Sequence, residues 1–100
     1  SARIMTDAMA EHFPEWVHFE QPVGGLFIWC TLPEGWDANE IFKRAVERKV
    51  AIVPGAPFFT TPGKGQNTFR LNFSAEPEKR IREGIKRLGD LLKEMAEEQK

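Results

Sequence analysis

A guanidinium in mid-strand is the strongest chemical signal in this sequence. In Gln66-Asn67-Thr68-Phe69-Arg70-Leu71-Asn72-Phe73-Ser74, apolar and polar residues alternate. A strand turns successive side chains to opposite faces, so Phe69, Leu71 and Phe73 share one face and Thr68, Arg70, Asn72 and Ser74 the other. The apolar face suits a core. The polar face carries Arg70 next to an amide, with no acid in the same segment to neutralise it. A planar guanidinium held this way can take a carboxylate through two parallel hydrogen bonds. Two plainer uses stay open from the strand alone: an ion pair with a glutamate elsewhere in the chain, or a place on a solvated sheet face.

Little else in the sequence points to chemistry. No nucleophile stands beside a base in a recognisable motif. His12 follows a helical stripe and His18 lies in a strand, which makes each a surface or core-edge residue. Two histidines and one cysteine make no zinc-ligand pattern. Cys30 has no partner for an internal disulfide and sits in an apolar strand, as a buried thiol in a reducing, cytoplasmic setting would. Gly63-Lys64-Gly65 fails as a phosphate loop, because the glycine spacing is wrong and no Ser or Thr follows the lysine. None of the seven lysines stands in a context that marks a Schiff base. A net charge of -1, with both signs interspersed, calls for neither nucleic acid nor an anionic membrane. No apolar run approaches the ~18 residues of a membrane span.

The elements that must position Arg70 follow from periodicity. The chain has 100 residues, enough for one domain with a modest core. Residues 2–12 read as a helix with Ile4, Met5, Ala8 and Met9 as its stripe, stopped by Pro14. Residues 16–20 and 26–32 read as strands joined through Gln21-Pro22-Val23-Gly24-Gly25, a hairpin. The second strand is apolar on both faces: Leu26, Ile28, Cys30 and Leu32 on one, Phe27 and Trp29 on the other. It is therefore either central and wrapped, or covered on one side by a partner.

Asp37 and Glu40 have the spacing of a capping box, opening a helix to about Arg48 with Ile41, Phe42, Ala45 and Val46 as its stripe. Residues 50–53 read as a short strand ending at Pro54-Gly55. The glycine- and proline-rich loop beyond carries adjacent Phe58 and Phe59, which either plug the edge of the core or line a pocket or contact. The last helix spans about 77–97, with Ile81, Ile85, Leu88, Leu91, Leu92 and Met95 buried. Its Gly84 is expected to allow a close helix–sheet approach. The resulting order is α-β-β-α-β-β-α: a small two-layer α+β domain, its helices on one face of a mostly antiparallel sheet.

Three segments, in this order, resemble the C-terminal end of class I/II (fold type I) pyridoxal-phosphate-dependent aminotransferases. Pro22-Val23-Gly24-Gly25-Leu26-Phe27-Ile28-Trp29 resembles the family's P-x-G-G-x-F-x-W segment. Val50-Ala51-Ile52-Val53-Pro54-Gly55-Ala56-Pro57-Phe58 resembles G-V-x-V-x-P-G-x-x-F, with Lys49-Val50 where a glycine often stands. Asn67 to Ser74 resembles the R-L-x-F-[SA] strand. The nearest likeness is to the 2-aminoadipate, kynurenine and aromatic aminotransferases and the aminotransferase-like regulators.

The resemblance implies that residues 1–100 are the small domain that caps the substrate site. Arg70 would then bind the α-carboxylate of amino-acid and 2-keto-acid substrates, with Phe58 and Gly24-Gly25 nearby. Pyridoxal 5'-phosphate, its lysine and its phosphate-binding residues would belong to a large domain outside these residues, in a homodimeric parent. The chain alone would be inactive. Two alternatives stand beside this one: the effector-binding half of a transcription regulator, and a stand-alone carboxylate-binding module.

Overall fold

The computed structural model describes residues 2–21, 27–72 and 77–100. Gly24-Gly25, Leu26, Phe73 and Ser74 lie outside the described residues.

The first helix, α1 (Ala2–His12), buries Met5, Ala8 and Met9 and half-buries Ile4, as its stripe requires. After it, the Val17 amide donates to the Pro14 carbonyl at 3.1 Å. That turn takes up Trp16, whose ring lies 4.9 Å from that of Trp36. The first strand, β1, is therefore His18–Glu20 rather than 16–20. It pairs antiparallel with β2 (Phe27–Thr31), which pairs antiparallel with β4 (Thr68–Asn72).

Asp37 caps α2 (Ala38–Glu47), its Oδ1 accepting from the Asn39 amide at 2.9 Å. Glu40 meets Lys43 instead of closing the capping box. The expected stripe of this helix needs correction. Ile41 and Ala45 are buried, but Phe42 is 40% and Val46 53% exposed. The cause is the neighbour. Arg44 forms two bonds to Glu98, at 2.6 and 2.7 Å, and Arg48 pairs with Glu94. Positions 41, 44, 45 and 48 make one helical face, and turning it toward α3 (Glu78–Glu98) leaves 42 and 46 on the flank.

The end of α2 also reshapes the next strand. The Lys49 amide donates to Val46 and the Val50 amide to Ala45, a Schellman closure with Lys49 at φ 62°. Lys49 and Val50 are spent on that cap. The strand expected over 50–53 is reduced to β3 (Val53–Pro54), followed by a 3-10 turn over Ala56–Phe58. The expected element order is thus met in part.

The sheet order is β1-β2-β4-β3, and every pairing described is antiparallel. Ile28, Cys30, Phe69 and Leu71 point into a single core with the stripes of the three helices. Ile85, Leu88, Leu91, Leu92 and Met95 are all buried there, as periodicity requires, while Ile81, expected in the same stripe, is only half-buried near the start of the helix. The tight glycine is Gly89, not Gly84. A Cβ at Gly89 would lie 2.4 Å from the His12 carbonyl oxygen, whereas one at Gly84 meets nothing within 4 Å. The close approach is between α1 and α3.

Candidate functional site around Arg70

The alternation in β4 does what its pattern dictates. Phe69 and Leu71 are buried in the core, and Arg70 stands half-buried on the opposite face. Its register partners are Trp29 on β2 and Val53 on β3. Phe27 shares the Trp29 face, two residues along the same strand.

Two rings close on the guanidinium. Its central carbon lies over the Phe27 ring at 4.9 Å from the centroid and over the Phe58 ring at 4.4 Å. Phe27 comes from the β2 side of β4 and Phe58 from the turn that follows β3. Trp29 ties the frame together: its ring centroid is 6.4 Å from those of Phe27 and Phe58 and 6.0 Å from that of Phe59.

Glycines make the frame possible at two places. A Cβ at Gly55 would sit 2.0 Å from Thr68 Oγ1 and 3.0 Å from the Trp29 ring. One at Gly65, where φ is 76°, would fall 2.2 Å from the Phe59 ring. The loop is braced further by Thr68, whose hydroxyl donates to the Gly65 carbonyl at 2.7 Å, and by Asn67, whose amide donates to the Leu32 carbonyl at 2.6 Å.

Among the described residues Arg70 has no ion-pair or hydrogen-bond partner, and its Nε is buried without one. Of the uses open from the strand, neither a glutamate pair within these residues nor a fully solvated position is realised. The guanidinium is desolvated on its Nε edge and uncommitted at its two terminal nitrogens. A buried donor without a partner costs about 1–3 kcal/mol, which makes this an unusual place for a purely structural arginine. Phe58 and Phe59, 53% and 41% exposed, do not plug the core; Phe58 lies over Arg70 and Phe59 packs on Trp29. Sequence reasoning placed Phe27 on the right face but missed that it meets the guanidinium. The shared parity of Phe27 and Trp29 was the available signal.

Other candidates fall away. His18 is exposed, and among the described residues the His12 ring has its one ion-pair contact with Glu11, at 3.8 Å. Burial pushes the Cys30 thiol far above its ordinary pKa, which leaves it inert. An open cleft of about 730 Å³ runs between Lys49–Ala51 and α3, but Arg70 is not in its lining. Among the described residues no cluster has the makings of a metal site, and no helix is long and apolar enough to cross a membrane.

No protein-family profile matches the chain. It is 48% identical over 90 residues to aromatic-amino-acid aminotransferase 1 of Thermococcus litoralis, covering 90% of this chain and 21% of the relative. The solved structure of LysN, the alpha-aminoadipate aminotransferase of Thermus thermophilus complexed with N-(5'-phosphopyridoxyl)-L-leucine, superposes with a TM-score of 0.87. The identity there is 42%, over 95% of this chain and 24% of that one. The chain's relatives in sequence and in fold are aminotransferases.

The chain spans about a fifth to a quarter of the length of these relatives. Similarity extends more weakly to the HTH-type transcriptional regulator YdcR of Escherichia coli, at 31% identity over 87% of the chain and 18% of the regulator. Among the described residues no group of side chains fits a pyridoxal phosphate site. All seven lysines are exposed, and none is enclosed with an acid that could partner a pyridine nitrogen.

Proposed function

We propose that this chain is the substrate-capping small domain of a pyridoxal-phosphate-dependent aminotransferase, in which Arg70 binds the α-carboxylate. The observation that carries the reading is the uncommitted guanidinium framed by Phe27 and Phe58 on the sheet face away from the helices. The names of the relatives, aromatic-amino-acid and alpha-aminoadipate aminotransferases, supply the reaction class: transfer of an amino group between an amino acid and a 2-keto acid.

One arginine serves both halves of such a reaction, because amino acid and 2-keto acid carry the same carboxylate beside the reacting carbon. The cofactor, held by a large domain outside these residues, supplies the electron sink at that carbon. This chain's share is to bind, orient and shield. Arg70 fixes the carboxylate end, so the α-carbon is presented in one orientation. The aromatic frame keeps water off the ion pair, where a charge-assisted bond contributes about 1.5–3 kcal/mol. Phe27, Trp29, Phe58 and Phe59 form an apolar face that closes on the large domain. The parent is a cytoplasmic homodimer, and these residues alone catalyse no transfer.

The test is Arg70→Lys in the full-length enzyme. The ammonium keeps the charge but offers a point instead of a fork. Amino-acid and keto-acid affinity should fall about ten- to a hundredfold, the equivalent of one charge-assisted bond. Cofactor retention and fold should persist, since Phe69 and Leu71 carry the core side of the strand. Unchanged substrate affinity in a destabilised protein would make Arg70 a structural residue and end the assignment. The similarity to YdcR favours a second reading, in which the same arginine holds an effector carboxylate without turnover. Substrate-dependent half-reaction rates in the parent separate the two.

A further inference from the structure

We propose that Phe27 and Phe58 are positioning residues that turn Arg70 into an end-on fork selective for planar carboxylates over tetrahedral oxyanions. The inference rests on the reading that Arg70 takes the substrate's carboxylate, and it adds what makes that arginine discriminate. An arginine on an open strand face has many rotamers, and ordering one costs binding free energy. Here the guanidinium carbon is held over one ring at 4.9 Å and over another at 4.4 Å, from opposite sides of β4. Both rings are fixed in turn by Trp29, each with its centroid 6.4 Å away. The position of the guanidinium is therefore set before any ligand arrives.

The same frame decides which edge is usable. Nε is buried and has no partner, so the side edge of the guanidinium is shut. The two terminal nitrogens remain, and they lie in one plane. A carboxylate meets them with two coplanar oxygens. A phosphonate or sulfonate brings a third oxygen out of that plane, toward a ring. Ring faces carry negative potential, which attracts the cation and repels an anionic oxygen. Phe27 and Phe58 thus stabilise the guanidinium and penalise the wrong anion shape by one and the same charge distribution.

The experiment compares two probes on the full-length enzyme: a 2-keto-acid substrate, and its analogue with phosphonate in place of the carboxylate. Dissociation constants are measured for the parent, Phe58→Leu, Phe58→Tyr, Phe27→Leu and Arg70→Lys. Phe58→Leu and Phe27→Leu should each weaken the carboxylate about three- to thirtyfold, the range of one partly desolvated cation–π contact. The phosphonate should lose less, so the carboxylate preference narrows. Phe58→Tyr, which keeps the ring face, should restore both. Phe58 is 53% exposed, so Leu at that position leaves the fold intact.

A second readout is the Nε–H signal of Arg70 in the 100-residue chain. It should be ring-current shifted and slow to exchange, and both features should diminish in Phe58→Leu and in Phe27→Leu. An unchanged carboxylate-to-phosphonate ratio in both Leu variants, with Arg70→Lys still impaired, overturns this inference alone. Unchanged carboxylate affinity in Arg70→Lys overturns the reading beneath it.

Discussion

Two glycines in α3 offer a controlled measurement of helix–helix packing in this domain. Replacing either by alanine gains the same helix propensity, about 1 kcal/mol. At Gly84 nothing lies within 4 Å of the new Cβ, so that gain is realised whole. In a domain of this size it should raise Tm by about 4–8 °C. At Gly89 the Cβ would lie 2.4 Å from the His12 carbonyl oxygen and 2.9 Å from its carbon. These are backbone atoms at the end of α1 and cannot swing aside. The two helices must separate, and overpacking of that kind costs about 1–3 kcal/mol.

The propensity term cancels between the variants, so their difference isolates the clash. Gly84→Ala should exceed Gly89→Ala in unfolding free energy by about 1–3 kcal/mol. Urea titrations on the two proteins, with equal m-values, give that difference directly. If Gly89→Ala proves as stable as Gly84→Ala, the close α1–α3 contact is refuted.

Lys49, at φ 62°, sits where the Schellman closure of α2 favours glycine. Lys49→Gly should stabilise the domain by about 0.5–1 kcal/mol and Lys49→Val should destabilise it, read from paired thermal melts; equal midpoints for the two would refute the left-handed assignment. Cys30 is fully buried, its thiol held protonated by desolvation. A thiol reagent should label the chain only at the rate of unfolding, and rapid native-state labelling would contradict that burial.

The sequence by itself determined those features that depend on neighbours along the chain. The alternation of 68–72 put Arg70 opposite Phe69 and Leu71, because strand parity leaves no other choice. The α3 stripe, the Asp37 cap and the Pro14 stop were likewise local. The ordered motifs around Phe27, Gly55 and Arg70 were enough to indicate the aminotransferase resemblance. The tertiary structure alone decided what each face meets. Phe42 and Val46 read as core by spacing, but the face of α2 that meets α3 is that of Ile41, Arg44, Ala45 and Arg48, which leaves them outside. Gly84 and Gly89 look alike in sequence, and only the crossing of α1 tells them apart. Arg70 was legible as an arginine without a local acid. That its guanidinium rests on Phe27 and Phe58 follows from the order β2-β4-β3, which brings together residues far apart in the chain. Periodicity reports which way a side chain points; it carries no record of what stands on the other side.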